Sequence, residues 1–229
     1  MRRLYLYLTI STLLFLGESR AQYAWDFGGN LGFANYLGEI GGGASEARDW
    51  LLDLKLSQTR WNPGVFARYR LGYNWGLNMS LNYARLQGAD SIVTNPNRFT
   101  RNLHFRNDIF ELAGTVEYYF FSQPDVGRTG RYLLDFKAFV YAGFGAFYNN
   151  PKAQYQGNWV ALRPLKTEGQ ESPYGAIQAV VPVGFGFFYT SSRIHRFGMN
   201  AGWRISFTDY IDDVSGTYPD PNILESPEA

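Results

Sequence analysis

From Tyr23 onward the odd positions carry Tyr23, Trp25, Phe27, Gly29, Leu31 and Phe33, while the even ones carry Ala24, Asp26, Gly28, Asn30, Gly32 and Ala34. A period of two with one apolar and one small or polar face predicts a β-strand. The same grammar recurs along the chain. Trp61, Val65, Ala67, Tyr69 and Leu71 oppose Asn62, Gly64, Phe66, Arg68, Arg70 and Gly72, and Trp75, Leu77, Met79, Leu81 and Tyr83 oppose Gly76, Asn78, Ser80, Asn82 and Ala84. Asn74 between these two marks a tight hairpin. A fourth segment sets Phe110, Leu112, Gly114, Val116, Tyr118 and Phe120 against Glu111, Ala113, Thr115, Glu117 and Tyr119. Less regular alternation covers Tyr132 to Phe147, and two clean strands follow at Val181–Tyr189 and Phe197–Thr208. Seven strands are predicted in all.

The minority face of these strands is unusual. A soluble sandwich would present Lys, Glu and Thr there, whereas this chain presents Gly, Asn and Ser with single charges. Such a face suits the crowded interior of a narrow barrel, where Asp26, Arg68, Arg70, Glu111, Glu117, Lys137 and Arg204 are expected as inward ion partners. The aromatic face then meets lipid. Connections support this reading, because they alternate long (37–60, 85–109, 148–179) with short (73–74, 122–131, 190–196), as in a membrane barrel with outer loops and inner turns. The expected fold is therefore all-β, a small antiparallel transmembrane β-barrel of about eight strands. The eighth strand has two candidate sources: the sequence stops before it, which we favour, or Trp50–Leu56 supplies it. An odd, open sheet would leave backbone edges in lipid.

Composition narrows the field further. With 17 Tyr, 18 Phe, 6 Trp, 25 Gly and a net charge of +1, the 229 residues do not match a nucleic-acid binder, which would carry a basic excess. The absence of cysteine excludes disulfides, thiolate metal sites and cysteine nucleophiles. At the N-terminus Arg2 and Arg3 precede an apolar stretch from Leu4 to Leu16, and Ser19-Arg20-Ala21 precedes Gln22. This predicts a secretory signal peptide over residues 1–21, cleaved between Ala21 and Gln22, with residues 22–229 forming the barrel domain. The expected location is the cell outer membrane.

Candidate chemistry is sparse. His104, near an outer strand end with Asp108 close by, is the one candidate general base, and no nucleophile motif accompanies it. His195 sits between Arg193 and Arg196 in a predicted inner turn. Asp209, Asp212, Asp213 and Asp220 form an acidic group without the order of an EF-hand loop, so solvation in a loop accounts for them more simply than calcium does. Gly143-Phe144-Gly145 and Gly184-Phe185-Gly186 lack the lysine and helix start of a phosphate loop. No catalytic, cofactor-binding or metal-binding residues, no cofactor and no small-molecule substrate are expected.

Several segments carry a family resemblance. They are Asn35–Glu39, Leu54–Trp61 leading to Pro63–Phe66, Gly88–Ser91, Asn150–Ala153, Leu165–Gln170, and Phe207–Tyr218 with Asp209, Tyr210, Asp212 and Asp213 at its centre. In these the chain resembles the PorG-like outer-membrane β-barrels of the type IX secretion system. The resemblance implies a non-enzymatic component of a bacterial protein-secretion machine, which anchors a periplasmic ring to the outer membrane. Its implied partners are membrane lipid, the ring lipoprotein and the partner subunit of that lipoprotein. It supplies no catalytic residues. Two other functions stay open: an outer-membrane lipid-modifying enzyme with His104 as base, and a small passive channel.

Overall fold

The computed structural model describes residues 24–36, 40, 58–90, 103–124, 135–191 and 195–215. The predicted signal peptide with its Ala21–Gln22 cleavage site, the Trp50–Leu56 segment, Asp220 and any closing strand lie outside the described residues.

Seven long strands form one antiparallel meander: β1 (Trp25–Ala34), β2 (Arg60–Arg70), β3 (Trp75–Ala89), β4 (His104–Gln123), β5 (Asp135–Tyr148), β8 (Ile177–Ser191) and β9 (His195–Ser206), each paired with the next. Between β5 and β8 a short hairpin of β6 (Lys152–Tyr155) and β7 (Asn158–Ala161) leans on β4 through Arg106 opposite Lys152. A single 3-10 turn, Arg163–Leu165, follows it. The sheet curls into a half-barrel, an all-β architecture without an α-helix among the described residues.

The period-two pattern settles which side is which. Along β1 exposure alternates residue by residue, with Phe27, Leu31 and Phe33 open on the convex face and Asp26, Gly28 and Asn30 turned to the concave one. On β4 the odd residues from Phe105 to Tyr119 line the interior, while Phe110, Leu112, Val116 and Tyr118 stay exposed. A register shift between Tyr119 and Phe121 then turns both Phe120 and Phe121 outward, as a β-bulge does by adding one residue to one strand. At the β2–β3 turn Gly72 adopts φ +115°, which a side chain would strain.

Inside the curl the packing is layered. Ile40, Phe105 and Val214 form one buried cluster near the loop end, and Ile109, Phe147 and Val180 a second just below. Tyr119, Phe139 and Phe188 form a third toward the turn end. Charged and amide side chains occupy the level between the second and third. Gly64 is needed at that level, because a Cβ there would collide with the side-chain oxygens of Asn82 and Asn30.

Two elements differ from the sequence expectation. β3 runs to Ala89 and β4 starts at His104, so both ends of the predicted 85–109 loop, residues 85–89 and 104–109, are strand. The outward side of this extension bears Arg85, Arg106 and Asp108 in place of aromatics, which removes the apolar half of the alternation. The β6–β7 hairpin also lies within a predicted loop; its four-residue strands are too short to show a period.

Candidate functional site

Three ion pairs run through the concave side. The deepest is on β2 and β4, where Arg68 Nε sits 2.8 Å from Glu117 Oε2 and 3.0 Å from Oε1. Glu117 also accepts hydrogen bonds from Asn78 Nδ2 at 3.0 Å and the Tyr119 hydroxyl at 2.8 Å, and is only 1% exposed. The Arg68 guanidinium is sandwiched by the rings of Phe66, Phe139 and Phe188, at 4.9–5.4 Å from their centroids. Toward the loop end, Arg204 on β9 donates to both Glu111 oxygens at 3.2 and 3.3 Å, and Asn82 links Glu111 to Asn30. At the turn end Asp26 on β1 pairs with Arg196 on β9. The first and last strands thus touch across the curl through side chains.

Of the seven residues expected inside, these pairs bring together Asp26, Arg68, Glu111, Glu117 and Arg204. Lys137 stands apart, with Nζ 5.0 Å from the Tyr119 ring centroid and donating to the Tyr73 carbonyl at 3.3 Å. Arg70 Nε is buried without a hydrogen-bond acceptor among the described residues. Glutamates this deep are stable because a cation and neutral donors fill their lone pairs.

The second feature is at the loop end, where distant segments knot together. Asn107 Nδ2 donates to Asn149 Oδ1 at 2.6 Å and to the Ile211 carbonyl at 2.9 Å, while Asn149 Nδ2 donates to the Tyr210 carbonyl at 2.8 Å. Both amides are fully buried. Asp213 accepts from Thr167 and Tyr174 hydroxyls, each at 2.5 Å, and Tyr174 stacks on Tyr210 with centroids 4.5 Å apart. Ser215 donates its backbone N–H and its hydroxyl to Glu168, both at 2.7 Å. Tyr36 packs edge-on against Phe105.

Asp212 and Asp213 overturn an expectation. A solvated acidic loop was expected, yet each is 1% exposed. Burial pushes the Asp212 carboxyl up to about 6, against the lowering effect of hydrogen bonds from Tyr36 and backbone amides. Burial likewise raises Asp213, and it raises the Tyr174 hydroxyl that donates to it. These two carboxylates take different partners and do not converge on a shared cation position. Asp209, in the same segment, is not part of this network.

His104 has a structural task. Its Nε2 accepts the Gln154 backbone N–H at 3.0 Å, and its ring meets Trp159 edge-on, which ties the β6–β7 hairpin to β4. His195 is exposed at the start of β9.

Sequence reasoning did not single out Asn107, Asn149, Thr167 or Tyr174. Asn107 shares the odd parity of Ile109 and Glu111, so extending the β4 alternation by two residues would have placed it inward. The knot also joins residues from the segments that carry the family resemblance: Tyr36, Thr167, Glu168, and Tyr210 through Ser215.

Residues 3–227 match a protein family described as a domain of unknown function, DUF6089. No curated protein and no solved structure matches the chain.

Proposed function

This chain belongs to the DUF6089 family over nearly its whole length, and we propose that it is a non-enzymatic outer-membrane β-barrel of a bacterial protein-secretion machine, anchoring the machine's periplasmic ring. One observation carries the membrane placement: the convex face is a belt of exposed aromatic and aliphatic side chains, while charged side chains are buried on the concave side. Phe27, Leu31, Phe33, Met79 and Phe144 are each more than half exposed, while Glu117 and Glu111 are buried. Water would not favour that distribution, whereas hydrocarbon does.

Dimensions support the same reading. On β3 and β4 the aromatic rows Trp75–Tyr118 and Tyr83–Phe110 face each other, the second row eight residues further along β3 than the first. At about 3.4 Å per residue and about 40° of tilt, eight residues climb about 21 Å, close to the apolar height of about 25 Å of bacterial barrels. The interior is packed with rings and ion pairs, which suits an anchor better than a conduit. His104 already accepts a backbone N–H, so the lipid-modifying alternative gains nothing from its setting.

The secretion role rests on the loop motifs that resemble PorG-like proteins, and on three of those segments joining in one knot. The periplasmic ring, its lipoprotein and partner subunit, would meet the opposite end, at the turn before Trp75. Deleting the gene is expected to abolish secretion of the machine's cargo. A photocrosslinking residue at Asn74 is expected to capture the ring lipoprotein, and one at Ser215 is not. Normal secretion in the deletion strain would overturn the proposal.

A further inference from the structure

Above the outer aromatic row the convex face of β3 and β4 changes character within two residues. Tyr83, Phe110 and Tyr148 lie side by side in one row across β3, β4 and β5. The next outward pair is Arg85 opposite Asp108, and two residues further along β4 comes Arg106 opposite Lys152 of β6. With the same rise and tilt, Arg85 and Asp108 stand about 5 Å above the aromatic row and Arg106 about 10 Å. The polar headgroup layer of a bilayer is about 5–7 Å thick on each side, so arginine side chains from both levels reach it.

The group is organised, and its described residues carry an excess of positive charge. Asp108 Oδ1 accepts from Arg85 Nε at 2.6 Å and from the Tyr83 hydroxyl at 2.7 Å, which fixes Arg85 while its side chain stays 40% exposed. The Arg106 guanidinium lies over the half-exposed Trp159 ring at 4.3 Å. Its Nε is buried without a hydrogen-bond acceptor among the described residues, and the nearest carboxylate oxygen, Asp108 Oδ2, is 3.7 Å away. Among the described residues, one carboxylate therefore stands against Arg85, Arg106 and Lys152. Two planar guanidiniums, with Lys152 across the strands from Arg106, match a phosphate's oxygens, and Trp159 and Tyr83 offer flat surfaces to the sugar beneath it.

We propose that Arg85, Arg106 and Lys152 bind the phosphate of an outer-leaflet glycolipid, docking it against the convex face just above the lipid belt. The inference rests on the membrane placement proposed above and is independent of the secretion role. Phosphorylated sugars in the outer leaflet supply the negative charge at this height, and the neighbouring belt would receive the lipid's acyl chains.

The test uses the full-chain protein with phosphatidylethanolamine vesicles that contain either lipid A or lipid A stripped of its phosphates by phosphatase. Flotation reports insertion, and native mass spectrometry of the re-extracted protein reports retained glycolipid. The expected result is insertion into both vesicles, with lipid A retained at least tenfold more than its dephosphorylated form. The combined R85A and R106A changes should remove that preference, and K152E alone should weaken it without affecting insertion. Equal retention of the two lipids, or displacement of lipid A by millimolar inorganic phosphate, overturns the inference and leaves the barrel standing. Failure to float overturns both.

Discussion

Along the strands each buried carboxylate faces an arginine, whereas in the loop knot buried carboxylates face hydroxyls and backbone amides. Glu117 has Arg68, Glu111 has Arg204 and Asp26 has Arg196. Asp213 has Thr167 and Tyr174, and Asp212 has Tyr36 and neighbouring N–H groups. The difference concerns what ionisation costs. A paired carboxylate is charged and compensated by its partner, so the strand region gains specificity from geometry. A carboxylate held only by neutral donors has its charged form disfavoured by burial, so the loop knot is sensitive to protons. One molecule thus has a body locked by charge pairs and an end tied by protonation-dependent hydrogen bonds.

The largest expected effect comes from breaking a strand pair. Arg68→Ala leaves the buried Glu117 without its cation, with Asn78 and Tyr119 as its remaining donors, and should cost about 3–5 kcal/mol. The folded, heat-modifiable band in detergent should then be lost at lower denaturant than in the wild type. Replacing both residues together, Arg68→Met with Glu117→Leu, should recover most of that loss, because no lone charge stays behind. If the double variant were as unstable as the single one, charge pairing would not be what locks this region.

Next in size is the knot. Asp213 sits at φ +71°, a backbone region that Asp tolerates better than Ala does. Asp213→Ala orphans two hydroxyls and adds that strain, for a local loss of about 2–3 kcal/mol. Faster proteolysis within residues 162–176 would register it, with strand stability unchanged. Asp213→Asn keeps one acceptor and the left-handed backbone, and should lose less.

Protons give a smaller but more discriminating contrast. Burial raises Asp212 from its ordinary 3.8 to about 6, so between those values the folded knot binds more protons than the open one. Its contribution to stability is therefore fully present below about pH 4 and disappears as pH rises through about 6. Hydrogen exchange, corrected for its intrinsic pH dependence, should show weaker protection around Val214 at pH 7 than at pH 5. Asp212→Asn should flatten that slope. A slope of the opposite sign would mean that the closed knot favours the Asp212 carboxylate over the acid.

How much of this contrast was legible in the sequence follows from how each region is encoded. Strand parity is local: Glu111 and Glu117 fall on the side opposite Phe110 and Tyr118, and the sheet keeps them there. Ion partners for those glutamates were therefore predictable, although which arginine meets which glutamate depends on register between strands. The knot has no such period. Asn107 reaches a carbonyl 104 residues away at Ile211, and Thr167 meets Asp213 46 residues away. An acidic run such as Asp212-Asp213 looks solvated until those distant donors are in place. Distinctive wording in the loop segments was visible, but its physical reason, a shared set of buried hydrogen bonds, was not.

The smallest effect sharpens the comparison most, because it removes a charge that acts on the neutral side. Glu168 binds Ser215 at the surface, and its negative charge is among the influences that raise Asp213. Glu168→Gln should cost less than about 1 kcal/mol in stability, since exposed polar pairs contribute little. It should nevertheless ease ionisation of Asp213. In an Asp212→Asn background, where Asp213 is the buried acid still titrating in the knot, the midpoint of pH-dependent opening should move to lower pH. Raising the ionic strength should shrink that shift, since a charge at the surface is screened within about 10 Å at 0.1 M salt. A shift of the same size at high salt would mean that the lost hydrogen bonds, and not the charge, moved the midpoint. An upward shift would remove Glu168 from the electrostatics of the knot altogether.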